Sequence, residues 1–331
     1  MKKVLVTGAG GFIGSHVVEE LLKENIEVRV LLRPDESPTN LNEFNIEIMR
    51  GDILDNESVS NAVKGVDTVF HLAAIYSIWM QDWSRIYEVN MQGTQNILWA
   101  ASKSNIERVV YTSSIAAVGI APGKQISNEE TSFNQYTIGS HYILTKYLSQ
   151  QIACNFAKNG LDVVIVNPCF PFGTKDIVPT PTGQLIVDIL KGKNFFYFPG
   201  GINIIDVRDV ARGHVLAAKR GKTGELYLLG NMNVTMGDFL KMVYKAAGFK
   251  ARPIIRAFIP VVKTSAYCFK WWADHISHKT PLTTPPEVKY ASQYLYFDNS
   301  KAHNELGLTF SPIEESLRAS VEWFRENGYT K

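Results

Sequence analysis

The segment "KVLVTGAGGFIGSH", residues 3–16, constrains this chain more than any other. A β-branched run stops at Gly8, further glycines follow at positions 11 and 14, and an amphipathic pattern of helical period begins among them. Strand, glycine loop and helix in that order form a phosphate cradle. Glycines permit the tight turn, backbone N–H groups can approach a pyrophosphate, and the helix N-terminus adds partial positive charge. Gly14, inside the helix, lets helix and strand pack closely. The spacing is Gly-x-x-Gly-x-x-Gly, not the dehydrogenase Gly-x-Gly-x-x-Gly. A ligand-free glycine turn is the plain alternative.

The rest of the chain supplies the setting such a loop needs. Residues 27–32, 46–50, 67–73, 108–114 and 162–168 are further β-branched runs bounded by Gly, Asp or Pro. Helical patterns fall at 12–24, 55–64, 84–104 and 139–159. Near-continuous apolar strands imply a parallel sheet covered on both faces. Their alternation with helices predicts an α/β, doubly wound Rossmann domain over residues 1–168. After Pro168 the pattern shortens, beginning with "CFPFGTKDIVPTPTG", which reads as a shaped loop. Helices near 183–191, 207–219, 235–247 and 312–327, with strands near 202–206 and 225–229, predict a smaller α+β substrate lobe over 169–331. Segments near 202–230 are expected to return to the first domain.

At 331 residues the chain can bury a large core, and 45% hydrophobic with 20% charged residues is ordinary for a globular protein. A net charge of +2 gives no reason to expect nucleic acid or an acidic membrane as partner. Cys154, Cys169 and Cys268 are scattered and odd in number, which suits reduced thiols in a cytoplasm. The N-terminal apolar run breaks at Gly8 and reads as a first strand, not a signal peptide. No run approaches the ~20 apolar residues of a membrane span. The apolar region "AFIPVVKTSAYCFKWWADHI" predicts a helix with an aromatic face.

Two stretches carry candidate chemistry. In "IGSHYILTKYLSQ", Tyr142 and Lys146 stand four apart, on one face of a helix. A free phenol has a pKa near 10, and a neighbouring ammonium moves it toward neutrality. Lys146 can also orient a cofactor ribose. Ser113 and Ser114 close the fifth strand, at the sheet edge that faces the ligand crevice, where Ser114 can hold a substrate oxygen by hydroxyl donation. Counting ~20 residues on from the glycine loop reaches "LLRPDE". Arg33 stands there in place of an acid, which favours NADP(H) over NAD(H), with Asp35 and Glu36 just beyond. Asp52 can accept from an adenine amino group, or simply cap a turn.

With the glycine loop, "HLAA", "NMQGTQN", "YTSS", Tyr-x-x-x-Lys and "NP" in this order, the chain resembles the extended short-chain dehydrogenase/reductases, the NAD-dependent epimerase/dehydratase type. It is most similar to the dihydroflavonol-4-reductase-like branch, near the hopanoid-associated sugar epimerases. The resemblance implies Ser114, not Ser113, as the catalytic serine, Tyr142 as general acid/base and Lys146 as its partner. It implies a cofactor lined by Gly8, Gly11, Phe12, Ile13, Arg33, Asp52, Ile53, Leu72, Ala73, Ala74 and Pro168. It also implies a homodimer formed through helices near 90–104 and 139–158.

Substrate residues are less legible. Trp79 and Trp83, with Phe170, Phe172, Tyr267, Trp271 and Trp272, suggest an apolar site, although aromatics equally fill cores. Arg208 can reach a substrate anion or pair with Asp206 or Asp209. The histidines form no metal constellation: His275 and His278 lack partners, and His71 reads as structural beside the cofactor. The expected reaction interconverts a ketone and a secondary alcohol on a fairly apolar small molecule. Nucleotide-sugar epimerisation with retained cofactor, or an idle cofactor-binding protein, are the alternatives. The loop after Pro168 offers a sugar diphosphate only Lys175.

Overall fold

The computed structural model describes residues 1–193, 196–250 and 255–330. Its centre is a parallel seven-stranded sheet. The strands are β1 (Lys3–Thr7), β2 (Glu27–Leu32), β3 (Glu47–Arg50), β4 (Thr68–His71), β5 (Arg108–Thr112) and β6 (Val163–Pro168). The seventh strand comes from far along the chain, after β7 (Phe170–Phe172), β8 (Phe196–Tyr197) and β9 (Gly201–Asp206); it is β10 (Leu226–Leu229). The spatial order β3-β2-β1-β4-β5-β6-β10 reverses between β1 and β4, which opens a crevice at their C-terminal ends.

Alternation along each strand builds the two covered faces. Val4, Val6, Val28, Val30, Val164 and Val166 meet helices α1 (Phe12–Lys23) and α7 (Val207–Arg220). Leu5, Leu31, Val69, Val109, Val163 and Ile165 meet α2 (Asn56–Ala62), α4 (Thr94–Ser102) and α5 (His141–Lys158). The segment expected as one helix over 84–104 is α3 (Ser84–Tyr87), then a π-helical turn over Glu88–Gly93, then α4. Such π-turns widen a helix locally and often occur at functional sites.

The remaining elements make a second layer with its own core. A four-stranded sheet joins β7, β9, β11 (Met232–Thr235) and, after the short β12 (Ile255–Arg256), β13 (Tyr294–Leu295). Helices α6 (Pro181–Leu190) and α8 (Met236–Ala246) pack there, and α11 (Ile313–Glu326) closes over them. Between these last two run α9 (Ile259–Trp272) and α10 (Pro285–Ala291). The proline-rich loop after Pro168 thus contains a strand, β7, which pairs in parallel with β9. Among the described residues no helix is long and apolar enough to cross a membrane.

Candidate active site

The expected cofactor residues follow the C-termini of β1, β2, β3, β4 and β6, on one edge of the sheet. Gly8 adopts φ +70°, and a Cβ there would lie 2.7 Å from the Ala73 nitrogen. A Cβ at Gly14 would lie 2.1 Å from the Gly8 carbonyl oxygen, so α1 packs directly on the turn. Gly11 starts α1 with no side chain capping its first turn, whereas Ser140, Thr180, Asp206 and Thr235 cap α5, α6, α7 and α8. The amides of that first turn, at Phe12 and Ile13, are the donors a pyrophosphate needs. This bare cradle fits a dinucleotide.

The neighbouring residues are placed unevenly around it. The Arg33 guanidinium is over half exposed, 3.9 Å from Asp35 and 3.7 Å from Glu36. The Glu36 carboxylate folds back toward Gly10, where an added Cβ would meet it at 2.5 Å. Asp52 takes its turn role, accepting from the Leu54 amide at 2.9 Å, and its other oxygen lies 3.4 Å from Arg85. Ile53 is mostly buried against Gly93. Leu72, Ala73 and Ala74 follow β4, and the Ala73 amide donates to the Thr7 hydroxyl at 3.3 Å. Pro168 ends β6.

Around the reacting groups, β5 ends at Thr112, two residues earlier than the sequence suggests. Ser114 then caps a 3-10 turn, its Oγ accepting from the Ala116 amide at 3.1 Å. Ser113 is buried and donates to Gln150 at 2.6 Å, which removes it from the crevice. Asn167 donates to the Ser114 carbonyl at 2.8 Å and to Gln150 at 2.7 Å, while its own carbonyl oxygen is buried without a partner.

Helix α5 brings Tyr142 to Ser114. A left-handed Gly139 turns the chain, and Ser140 caps the helix. Burial pushes the Tyr142 phenol above its ordinary pKa, an effect that the nearby Ser114 hydroxyl only partly offsets. Lys146 is buried one turn on, and its ammonium donates to the Thr112 carbonyl at 2.8 Å. Desolvation draws its pKa down to about 7. The Tyr76 ring stands edge-on to Tyr142 at 4.7 Å, and Tyr290 packs on the same cluster.

The fold also assembles a group that the sequence did not announce. Asn90, inside the π-turn, accepts from the Ile75 amide at 2.7 Å and donates to the Ile75 carbonyl at 3.0 Å and to Thr145 at 3.1 Å. It thereby ties the loop after β4 to α5. Beside it, His71 links Thr7 at 2.7 Å to Thr94 at 3.0 Å. The Thr94 hydroxyl donates to the Asn90 carbonyl at 2.7 Å, so His71 must donate to Thr94 through Nε2 and accept from Thr7 at Nδ1. Burial drives its pKa down to about 3, so it is a neutral strut. The "NMQGTQN" motif was the available signal for Asn90.

The expected substrate residues separate. Trp79 is nearly buried, its indole N–H donating to Asp274 at 2.8 Å. Phe170 is half-buried between two cores. Phe172 is a correction: it is fully buried with Ile186 and Phe239, and its backbone pairing with Asp206 holds it in the lobe core. Arg208 is bound to Asp206 through two nitrogens, at 2.6 and 3.1 Å, which is the ion-pair alternative. Trp83 stacks on His141 at 4.3 Å, beside Tyr142. Tyr267, Trp271 and Trp272 are exposed on α9.

Comparison with known proteins agrees with this fold. The sequence model described as "NAD dependent epimerase/dehydratase family" matches residues 4–230. The chain is 38% identical to a Synechocystis sp. protein provisionally named dihydroflavonol 4-reductase, over 98% of this chain and 95% of that one. It is 32% identical to sterol demethylase protein B of Methylococcus capsulatus, over 98% of each. The crystal structure of gox2253 superposes over the whole of both chains with a TM-score of 0.88 and 35% identity.

Proposed function

Because the chain belongs to the NAD dependent epimerase/dehydratase family and is an oxidoreductase of that family, we propose that it uses NADP(H) to interconvert a ketone and a secondary alcohol on a fairly apolar small molecule. The juxtaposition of Ser114, just past the end of β5, with Tyr142 and Lys146 on one face of α5, which Lys146 pins to the Thr112 carbonyl at 2.8 Å, carries this reading.

The dinucleotide, when bound, supplies or accepts hydride. Gly8, Gly11 and the first turn of α1 hold its pyrophosphate, and Arg33 meets its adenosine phosphate. The chain's own groups handle oxygen and proton. Ser114 Oγ donates to the carbonyl oxygen as negative charge grows there. Tyr142 gives its phenolic proton to that oxygen in reduction and takes it back in oxidation. Lys146, on the same helix face, stabilises the phenolate left behind. Tyr76 and Tyr290 offer the substrate an aromatic wall. Self-association through α4 and α5, where Trp99 stands exposed, belongs to the same reading. A sugar diphosphate finds poor support after Pro168, because Lys175 is already held by Glu19 at 3.3 Å and Glu43 at 2.7 Å.

The test is turnover of NADPH and NADH by purified protein across a carbonyl panel graded in apolarity. Tyr142→Phe is expected to lower turnover at least about a hundredfold with dinucleotide binding intact. Unchanged turnover in that variant removes the mechanism.

A further inference from the structure

Apolar helices are normally buried, yet only Ala266 is buried in α9. Phe258, Val261, Phe269 and Trp272 recur at helical spacing and continue into Ile276, forming one apolar stripe that is 40% to 71% exposed. Tyr267 and Trp271, four residues apart, stand exposed on the opposite side of the helix. Single exposed apolar side chains are ordinary, but a contiguous aromatic patch marks an interaction surface.

The charge of the same segment is lopsided. Arg256, Lys263, Lys270 and Lys279 face one carboxylate, Asp274, which Lys270 and Trp79 already engage. The near-neutral total of +2 conceals this local excess.

We propose that this face docks on an anionic phospholipid surface, with α9 lying in the plane of the interface. Trp, Tyr and Phe sit well at headgroup depth, and lysines at the flanks attract acidic headgroups. A second copy of the chain is the poorer occupant, because a two-fold contact would press this basic segment against itself. The contact is peripheral, since among the described residues no helix can span a bilayer. A cleft of about 370 Å³, lined by Trp79, Met80, Gln81, Trp83, Asp274 and His278, lies beyond the end of α9. Docking would set that cleft, one stacked ring from Tyr142, against the lipid. The proposal stands independently of the reaction assigned above.

Co-sedimentation with vesicles tests it, using phosphatidylcholine alone and phosphatidylcholine mixed with phosphatidylglycerol, with light scattering to follow oligomeric state. The protein is expected to partition onto the mixed vesicles and far less onto the neutral ones, and high salt should weaken the binding. Val261→Ser with Lys263→Glu and Trp272→Ser, all at exposed positions, should cut partitioning at least about tenfold with the melting temperature retained. Should that variant unfold, Lys263→Glu with Lys279→Glu carries the test by charge alone. No preference of the native protein for anionic vesicles, or undiminished binding by a folded variant, overturns the proposal. So does a native dimer that neither vesicle binds and that the substitutions dissociate.

Discussion

The Lys146 ammonium donates to the Thr112 carbonyl oxygen at 2.8 Å, pinning α5 to the end of β5. The Thr112 side chain faces the other way, and its hydroxyl contacts His214 Nε2 at 2.9 Å. His214 Nδ1 lies 2.8 Å from the Val210 carbonyl and must donate there, so Nε2 accepts from Thr112. One residue at a strand tip thus couples the helices on both faces of the sheet.

Burial leaves Lys146 with a folded pKa of about 7, below its ordinary 10.5. Between those values the unfolded chain binds more protons, so this lysine adds stability as pH rises, at most about 1.4 kcal/mol per pH unit. Urea midpoints taken from pH 7 to 9 should climb more steeply for the native protein than for Lys146→Met. Parallel slopes would show that the ammonium is not desolvated.

His71 and His214 are buried and neutral, with pKa values drawn down to about 3 and about 4. Their contribution is complete above pH 6.5 and is lost as pH falls through that interval toward the folded values. The expected acid slope between pH 6 and 4.5 is up to about 1.4 kcal/mol per pH unit for each ring. His214→Gln keeps an acceptor for Thr112 and should flatten this slope by about half. Chemical denaturation at stepped pH reads the difference.

Gly14→Ala places a Cβ against the Gly8 carbonyl and the Ala9 Cα, at 2.1 and 2.8 Å. The turn must move. Overpacking of this kind typically costs about 1–3 kcal/mol, and dinucleotide affinity should fall with it. Thermal melts and fluorescence titration with NADPH measure both. Tight binding by Gly14→Ala would mean that the loop does not cradle the pyrophosphate.

Arg33→Ser tests cofactor choice. A charge-assisted hydrogen bond is worth about 1.5–3 kcal/mol, so NADPH affinity should drop at least about tenfold while NADH affinity changes little. Equal losses for both dinucleotides would assign the arginine a structural role. Improved NADPH binding by Glu36→Gln would place the carboxylate beside Gly10 close to the adenosine phosphate.

Much of the scaffold was legible because it is written in local pattern. Period-two apolar runs specify strands, and positions four apart share a helix face, which placed Tyr142 above Lys146. The glycine spacing announced a close helix–strand approach, and Gly14 lies against Gly8. Pattern failed where partners come from far along the chain. The Phe172 ring reads like a site residue until α6 and α8 cover it.

The sequence by itself determined the order of strands and helices, the glycine turn and the shared face of the phenol and the amine, because each depends on neighbours within a few residues. Tertiary structure alone decided that Asn90 clamps the loop after β4, that His71 joins Thr7 to Thr94, that Lys146 is pinned to the Thr112 carbonyl, and that the aromatic stripe of α9 stays uncovered. These are facts about which surfaces meet after the chain closes on itself, and hydrophobic period does not encode the identity of a distant partner.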